Sequence, residues 1–326
     1  MAVNRHVGLD PCLACGAAGA VLYSDAEDFF FGSKGAWTVV RCTDPHCALI
    51  WLSPQPTVAV LAAAYSHYYT HDVQQRLSSP MTTWARRCRR FVSSVSGRSE
   101  LRIRRDHMFL LDRPPGTLLD VGCGNGISLD RFRKLGWTVF GQEIDPKAAA
   151  AAATRSLPVF VGPLSALAPS CRFDAIIMNH VIEHVPDPLS TLADCRRMLK
   201  PSGILVIATP NAAGLGAKMF GRYWRGYEVP RHLFVFTPAS LSTILKRSDL
   251  QCIDRRTLAL SAQSIFLESL AALQAKYTDR GNSFLTYCLF TRALSLLYCA
   301  VAEGATHISW TAGDEILMIC KSMESE

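Results

Sequence analysis

No stretch at the N-terminus joins a basic start to an apolar run and a small-residue cleavage site. Secretion is therefore not indicated, and the cysteines are expected to stay reduced in a cytoplasmic setting. No apolar run long enough to span a bilayer is free of charge. The best candidate, "FLTYCLFTRALSLLYCAVA" at 284–302, carries Arg292 at its centre, where burial in lipid would be costly. A buried or interface helix is expected there, or one resting on the inner face of a membrane. Acidic charge is also short: 27 Asp and Glu face 34 Lys and Arg, leaving +7, which favours anionic partners. Much of the excess lies in "WARRCRRFVSSVSGRSELRIRRD" at 84–106. This reads as a solvated helix face, or as a face for phosphate or anionic lipid.

What is present is ample apolar material, 49% of 326 residues, enough for one large domain and a small one. Eight of the twelve cysteines (Cys88, Cys123, Cys171, Cys195, Cys252, Cys288, Cys299, Cys320) stand singly among apolar neighbours and read as core. The other four are paired: "CLAC" at Cys12 and Cys15, "RCTDPHC" at Cys42 and Cys47. If the chain between folds back as a hairpin, with "AWTVVRC" returning, four thiolates surround one tetrahedral Zn²⁺. His46 is the alternative to Cys47, and two buried cysteine pairs without metal are the alternative to zinc. Such a site is closed, hence structural. "LSPQP" ends this module and "DRPPG" is the next punctuation. Three parts are expected: a cysteine-rich module at 1–57, a helical, Arg-rich connector at 58–112, and the main domain at 113–326.

The main domain opens with "LLDVGCGNGISLDRFRKLGWTVFGQEID" at 118–145. "TLLDV" reads as a strand, "NGISLDRFRKLG" as a helix with Leu129, Phe132 and Leu135 inward and Gly136 at its end, and "WTVFGQE" as a second strand. Strand and helix in alternation imply a parallel sheet, whose ligands bind at the carboxyl ends of the strands. Glycines there admit a ligand close to backbone amides, and Glu143 at the second strand end can grip both hydroxyls of a ribose. A nicotinamide dinucleotide fits poorly. Its third glycine position is Ile127, and Asp120 would stand near a pyrophosphate. A ribose-bearing ligand with an ammonium and a sulfonium and no phosphate fits better, which points to S-adenosyl-L-methionine.

Residues 117 to about 255 resemble class I S-adenosylmethionine-dependent methyltransferases. "LDVGCGNG" matches the first motif, "GQEID" the acidic second strand end, "FDAIIMNHVIEHVPDP" at 173–188 the fourth strand and its loop, and "RMLKPSGILVIATPN" at 197–211 the fifth strand. The resemblance implies an α/β doubly wound, Rossmann-like sheet. It places Asp120, Gly122, Gly124 and Gly126 at the methionine end, Glu143 at the ribose, and Asn179 and His180 beneath the methyl donor. Pro163 in "VGPLSAL" stands where many relatives carry an acidic residue for adenine, so contacts around Leu164 must serve. The N-terminal pattern resembles the zinc-binding leader of some bacterial methyltransferases acting on sugars, envelope glycans or secondary metabolites.

Asp187 and Pro188 start a helix that is expected to run to Pro201, holding Asn179, His180, Glu183 and His184 in the loop before it. "GRYWRGYEVPRHLFVFTP" at 221–238 follows the fifth strand, and in the resembling family its "PRHL" closes over the active site. His232 and His180 are thus the candidate general bases, with a satisfied structural histidine the other reading of His232. Arg222, Arg225 and Arg231 suit an anionic acceptor, or are solvated. "DEILMICK" at 314–321 reads as the final strand, which makes 261–308 a helical insertion that shapes the acceptor pocket or a dimer contact. The expected function is methyl transfer to a glycan, sugar nucleotide or related envelope or secondary metabolite, with no nucleic acid involved. The alternatives are a quinone-like or lipid O-methyltransferase and a non-catalytic scaffold of this fold.

Overall fold

A computed structural model of the protein describes residues 9–65, 98–277 and 284–323. In chain order the first elements are β1 (Gly19–Ala26), β2 (Trp37–Cys42), β3 (Ile50–Leu52), α1 (Val58–Tyr65), α2 (Arg98–Asp106), β4 (Thr117–Val121), α3 (Ile127–Lys134), β5 (Thr138–Glu143), α4 (Pro146–Ala153) and β6 (Val159–Val161). They are followed by β7 (Phe173–Asn179), α5 (Pro188–Met198), β8 (Leu199–Pro210), α6 (Leu215–Phe220), β9 (Phe234–Val235), α7 (Pro238–Arg247), β10 (Leu250–Leu258), α8 (Ala262–Tyr277), α9 (Phe284–Ile308) and β11 (Glu315–Ser322). One sheet has seven strands in the order β10-β11-β8-β7-β4-β5-β6, and a second has four in the order β1-β2-β3-β9. The pairs β4 with β5, β4 with β7 and β5 with β6 are parallel. The α/β architecture expected from the alternating elements is present.

The chain divides into two compact units. One, the cysteine-bearing unit, comprises Met1–Ser66, His180–Leu192 and Ile207–Ile319; the other, the glycine-loop unit, comprises His67–Asn179, Ala193–Val206 and Cys320–Glu326.

In the glycine-loop unit, β7 buries Ala175, Ile176, Ile177 and Met178 completely, the uninterrupted apolar run of a central parallel strand. Leu129 and Phe132 of α3 are likewise fully buried. Leu135, expected to point inward with them, is 39% exposed, because α3 stops at Lys134 and Leu135 is its C-cap. Gly136, at φ 90°, then turns the chain toward β5. Asp145 caps α4 by accepting from the Lys147 amide, ahead of Pro146 in the first turn. The helix after Pro188 ends at Met198, three residues short of Pro201, since Leu199 already belongs to β8.

In the cysteine-bearing unit, β1 and β2 form the expected hairpin, and β3 adds to β2 antiparallel. The fourth strand comes from far along the chain: β9, out of "PRHLFVFTP", pairs Val235 with Ile50 and Phe234 with Trp51. Thr237 closes this join. It caps α7 in a reciprocal box with Ser240, and its hydroxyl donates to the Cys47 carbonyl at 2.6 Å. The insertion at 261–308 supplies α8 and α9, and the expected last strand follows as β11. Among the described residues no helix is long and apolar enough to cross a membrane. Residues 84–97 of the Arg-rich stretch lie outside the described residues. In α2, Arg104 pairs with Glu100 at 3.1 Å and with Asp112 at 2.5 Å.

Candidate functional site

Chain direction at the end of β4 depends on glycine. Gly122, Gly124 and Gly126 have φ of 65°, 54° and 74°, in the left-handed region that side chains disfavour. At Gly126 space forbids a side chain too, because a Cβ would lie 2.6 Å from Leu157 Cδ1. Glu143, at the end of β5, reaches back to this loop. Its Oε2 accepts from the Gly124 amide at 2.7 Å, and its Oε1 from the amides of Ile144 at 2.7 Å and Asp145 at 3.0 Å. Three backbone donors fix the carboxylate and leave one lone-pair site, on Oε2, for a ligand.

Asp120 is 2% exposed. Burial pushes its carboxyl up to about 7, with the Glu143 charge adding to the rise and a Ser128 hydrogen bond opposing it. A buried acid in this condition gains by meeting a cation. Asn179 Oδ1 accepts from Arg105 Nη2 at 2.7 Å, and Leu164, 7% exposed, opens a short 3₁₀ turn. Asp120, the three glycines, Glu143, Leu164 and Asn179 all belong to the glycine-loop unit, and the next residue, His180, begins the other. The sequence reading missed Arg105 and also Gln142. Gln142 Oε1 accepts from the Gly122 amide at 3.3 Å and its Nε2 donates to the Gly162 carbonyl at 2.6 Å. The available signal was a polar residue immediately before the acidic end of β5.

The two candidate histidines, both in the cysteine-bearing unit, have opposite environments. His180 sits at φ 56°, a conformation that a non-glycine residue holds only when its surroundings impose it. Its Nδ1 lies 3.2 Å from Glu183 and its Nε2 2.8 Å from Glu315. Partial burial disfavours the charge, but the hydrogen bonds and charges of both carboxylates outweigh it and raise the imidazole to about 9. His180 is therefore a cation at neutral pH, with both N–H groups engaged.

His232 is 6% exposed, its Nδ1 2.7 Å from the Gly226 carbonyl and its Nε2 3.6 Å from Glu228. Burial lowers it to about 4, helped by His184 and opposed by Glu228, so it is neutral. The His184 ring meets it edge-on at 4.6 Å. Glu183, fully buried, also accepts from Thr209 Oγ1 at 2.9 Å. Burial would raise its carboxyl, but His180 above all, with His184 and His232, brings it down to about 2.

The three arginines flanking His232 are engaged within the protein. Arg231 has no exposed surface. It pairs with Asp28 and Glu228 at 3.0 Å each, donates to Ser33 Oγ at 3.0 Å and lies over the Phe31 ring at 4.2 Å. Arg225 pairs with Glu228 and Glu268, and Arg222 with Asp25.

Residues 96–255 match the family described as a methyltransferase domain. This part of the chain is a methyltransferase domain. Relatives named ubiquinone biosynthesis O-methyltransferase match part of the chain. The one from Cereibacter sphaeroides is 29% identical over 160 residues, 45% of this chain and 65% of that protein. The one from Caulobacter vibrioides is 34% identical over 142 residues, 37% of this chain and 56% of that protein. The chain thus spans less than two thirds of the length of either relative. A solved SAM-dependent methyltransferase from Archaeoglobus fulgidus aligns with 69% of this chain and 94% of its own, at 19% identity and a TM-score of 0.45.

Ahead of the methyltransferase domain, the sulfurs of Cys12, Cys15, Cys42 and Cys47 lie within 4.8 Å of one another. Cys12 Sγ is 3.6 Å from Cys47 Sγ, and Cys15 Sγ 3.4 Å from Cys42 Sγ. Disulfide sulfurs would be about 2.05 Å apart. A tetrahedron with metal–sulfur bonds of about 2.3 Å has edges of about 3.8 Å, which these spacings fit. The group contains Cys47 and leaves out His46, an exposed residue.

Proposed function

We propose that this protein transfers a methyl group from S-adenosylmethionine to an oxygen of a small-molecule acceptor. The observation that carries the reading is the glycine loop with Glu143 clamped against it and Asp120 buried behind. Glu143 would receive the ribose hydroxyls, and Asp120, ionising as it meets the cationic donor, would hold the methionine end. Asn179 and Leu164 would complete the contacts, Leu164 on the adenine face. The bound donor supplies an electrophilic methyl carbon: the acceptor oxygen bonds to it while the carbon–sulfur bond breaks and its electron pair returns to sulfur. Positioning and exclusion of water provide most of the acceleration in such an in-line displacement.

A hydroxyl acceptor must lose its proton. Of the two histidines, His232 has a nitrogen without a proton, and it is the one we place beside that hydroxyl. His180, doubly engaged and charged, is placed as a fixed cation. Cys12, Cys15, Cys42 and Cys47 would hold one structural Zn²⁺, in keeping with their tetrahedral spacing. Zinc content is expected to fall by about one per chain in Cys12→Ser, and an unchanged content would contradict the assignment.

A quinone-like or phenolic acceptor accords with the names of the relatives. A glycan or sugar-nucleotide acceptor is the second reading, favoured by a cavity of about 460 Å³ in the cysteine-bearing unit, lined by Tyr23, Tyr227, Trp310, Arg41 and Lys218. Aromatic faces there suit a sugar ring, and the two cations suit a phosphate. Transfer of labelled methyl from the donor to polyphenol and sugar-nucleotide panels tests both readings. Label is expected on oxygen in one panel. Donor binding without transfer to either, or to any cell extract, would favour the non-catalytic scaffold.

A further inference from the structure

The arginines around His232 all meet carboxylates: Arg222 pairs with Asp25, Arg225 with Glu228 and Glu268, and Arg231 with Asp28 and Glu228. The cavity of about 460 Å³ in the same unit departs from that pattern. Arg41 and Lys218 both line it, neither pairs with a carboxylate among the described residues, and no Asp or Glu stands in its wall. Arg41 occupies an exposed position of β2 immediately before Cys42, and His46, from the loop between Cys42 and Cys47, lines the cavity beside it. Lys218 comes from α6. A further side is Thr237, Pro238 and Ala239, the start of α7. That helix has ten residues and no acid in its first turn, so the positive end of its dipole has no counter-charge there.

The wall has an aromatic side too. The rings of Tyr23 and Tyr227 meet edge-on at 5.7 Å. Burial raises the Tyr227 phenol above its ordinary value, with Tyr23 adding to the rise and the Arg41 charge opposing it, so the hydroxyl keeps its proton and is able to donate. Cations without counter-charge, a helix N-terminus and aromatic rings in one concave wall complement an anion joined to a ring. A volume of this size holds a small molecule.

We propose that this cavity binds a small phosphate ester, its phosphate taken by Arg41 and Lys218 and its ring set against Tyr23 and Tyr227. Arg41 offers two phosphate oxygens a planar fork of donors, and Lys218 a point charge. The cysteine module then recognises a ligand, through Arg41 and His46, as well as bracing the fold. Only the ester's being the methyl acceptor rests on the methyltransferase reading.

Calorimetry of the full-length protein, purified without chelator, with phenyl phosphate, glucose 1-phosphate and inorganic phosphate tests the site. At least one of the two esters is expected to bind once per chain, more tightly than inorganic phosphate and with an affinity that falls as salt rises. Arg41→Gln and Lys218→Gln should each weaken it by about tenfold or more. Arg256→Gln, which removes the same charge from a cation already paired with Asp254, should leave it nearly unchanged. Circular dichroism checks each variant, and if Arg41→Gln does not fold, Lys218→Gln carries the test. No saturable binding of either ester by folded wild-type protein would overturn the proposal, as would undiminished binding in the folded variants, an equal loss in Arg256→Gln, or inorganic phosphate binding as tightly as both esters. S-adenosylhomocysteine titrated into the same samples separates the two readings. Absence of ester binding with intact nucleoside binding sinks only this cavity, whereas ester binding without nucleoside binding sinks the donor assignment.

Discussion

The glycine loop and the histidine cluster are built in contrasting ways. The loop draws its parts from consecutive strand–helix units: Gly124 and Glu143, hydrogen-bonded, are 19 residues apart. The cluster draws on segments scattered along the chain. Tyr65 reaches His184 across 119 residues, and Arg231, beside His232, is neutralised by Asp28 across 203. In the first region short-range backbone geometry sets the site. In the second, buried charges assembled from distant segments hold the side chains in place, so a change there should be felt in stability before it is felt in ligand affinity.

The largest effect is expected from removing Asp28, the partner of the fully buried Arg231 guanidinium. Asp28→Ala should lower the unfolding free energy by about 3–5 kcal/mol, read by chemical denaturation, while the folded fraction binds S-adenosylhomocysteine normally. Loss of affinity at unchanged stability would break the comparison. Glu143→Ala should do the reverse. Losing its charge-assisted ribose contact should weaken donor binding by about 1.5–3 kcal/mol, with a smaller loss of stability than Asp28→Ala gives, from the three amides left without their acceptor, and unchanged donor affinity would show the ribose contact to be wrongly placed.

A smaller effect sharpens the account of Asp120, whose carboxyl is raised from 3.8 to about 7 in the folded chain. A group raised in this way makes stability fall as pH climbs from about 4 to about 7. A cationic donor favours the ionised form and so expels the proton. Calorimetry in buffers of differing ionisation enthalpy should find release of about half a proton or more at pH 6.5 and almost none at pH 8.5. In Asp120→Asn the release should disappear at both pH values. Equal release at both pH values in the wild type would contradict the assignment.

The sequence made the loop legible because its signals are local. Three glycines on alternate positions, an acid before them and another at the next strand end are all consequences of backbone geometry over a few residues. The cysteine pairs were legible for the same reason, and the structure groups Cys47, not His46, with the other three sulfurs. The fates of the arginines were not legible. Arg231 looked available to an anionic acceptor until its partners at positions 28, 33 and 228 were known. Nor could pattern distinguish His180 from His232, since the charge of an imidazole depends on what faces it: Glu315 from the last strand for one, a backbone carbonyl and burial for the other. The four-stranded sheet was half legible. Its hairpin lies in consecutive sequence, but β9 joins β3 from nearly two hundred residues away. Leu135 shows the reach of periodicity: the pattern continued past Lys134, and the helix did not.

The adenosine-containing ligand that the glycine loop takes decides whether Glu143 and Asp120 serve a sulfonium donor or a dinucleotide. Calorimetry of the full-length protein with S-adenosylmethionine, S-adenosylhomocysteine and NAD, repeated on Glu143→Ala, measures this. The expected result is one S-adenosyl ligand per chain, weakened in the variant, and no heat from NAD. Binding of NAD with none of either S-adenosyl compound would contradict the account.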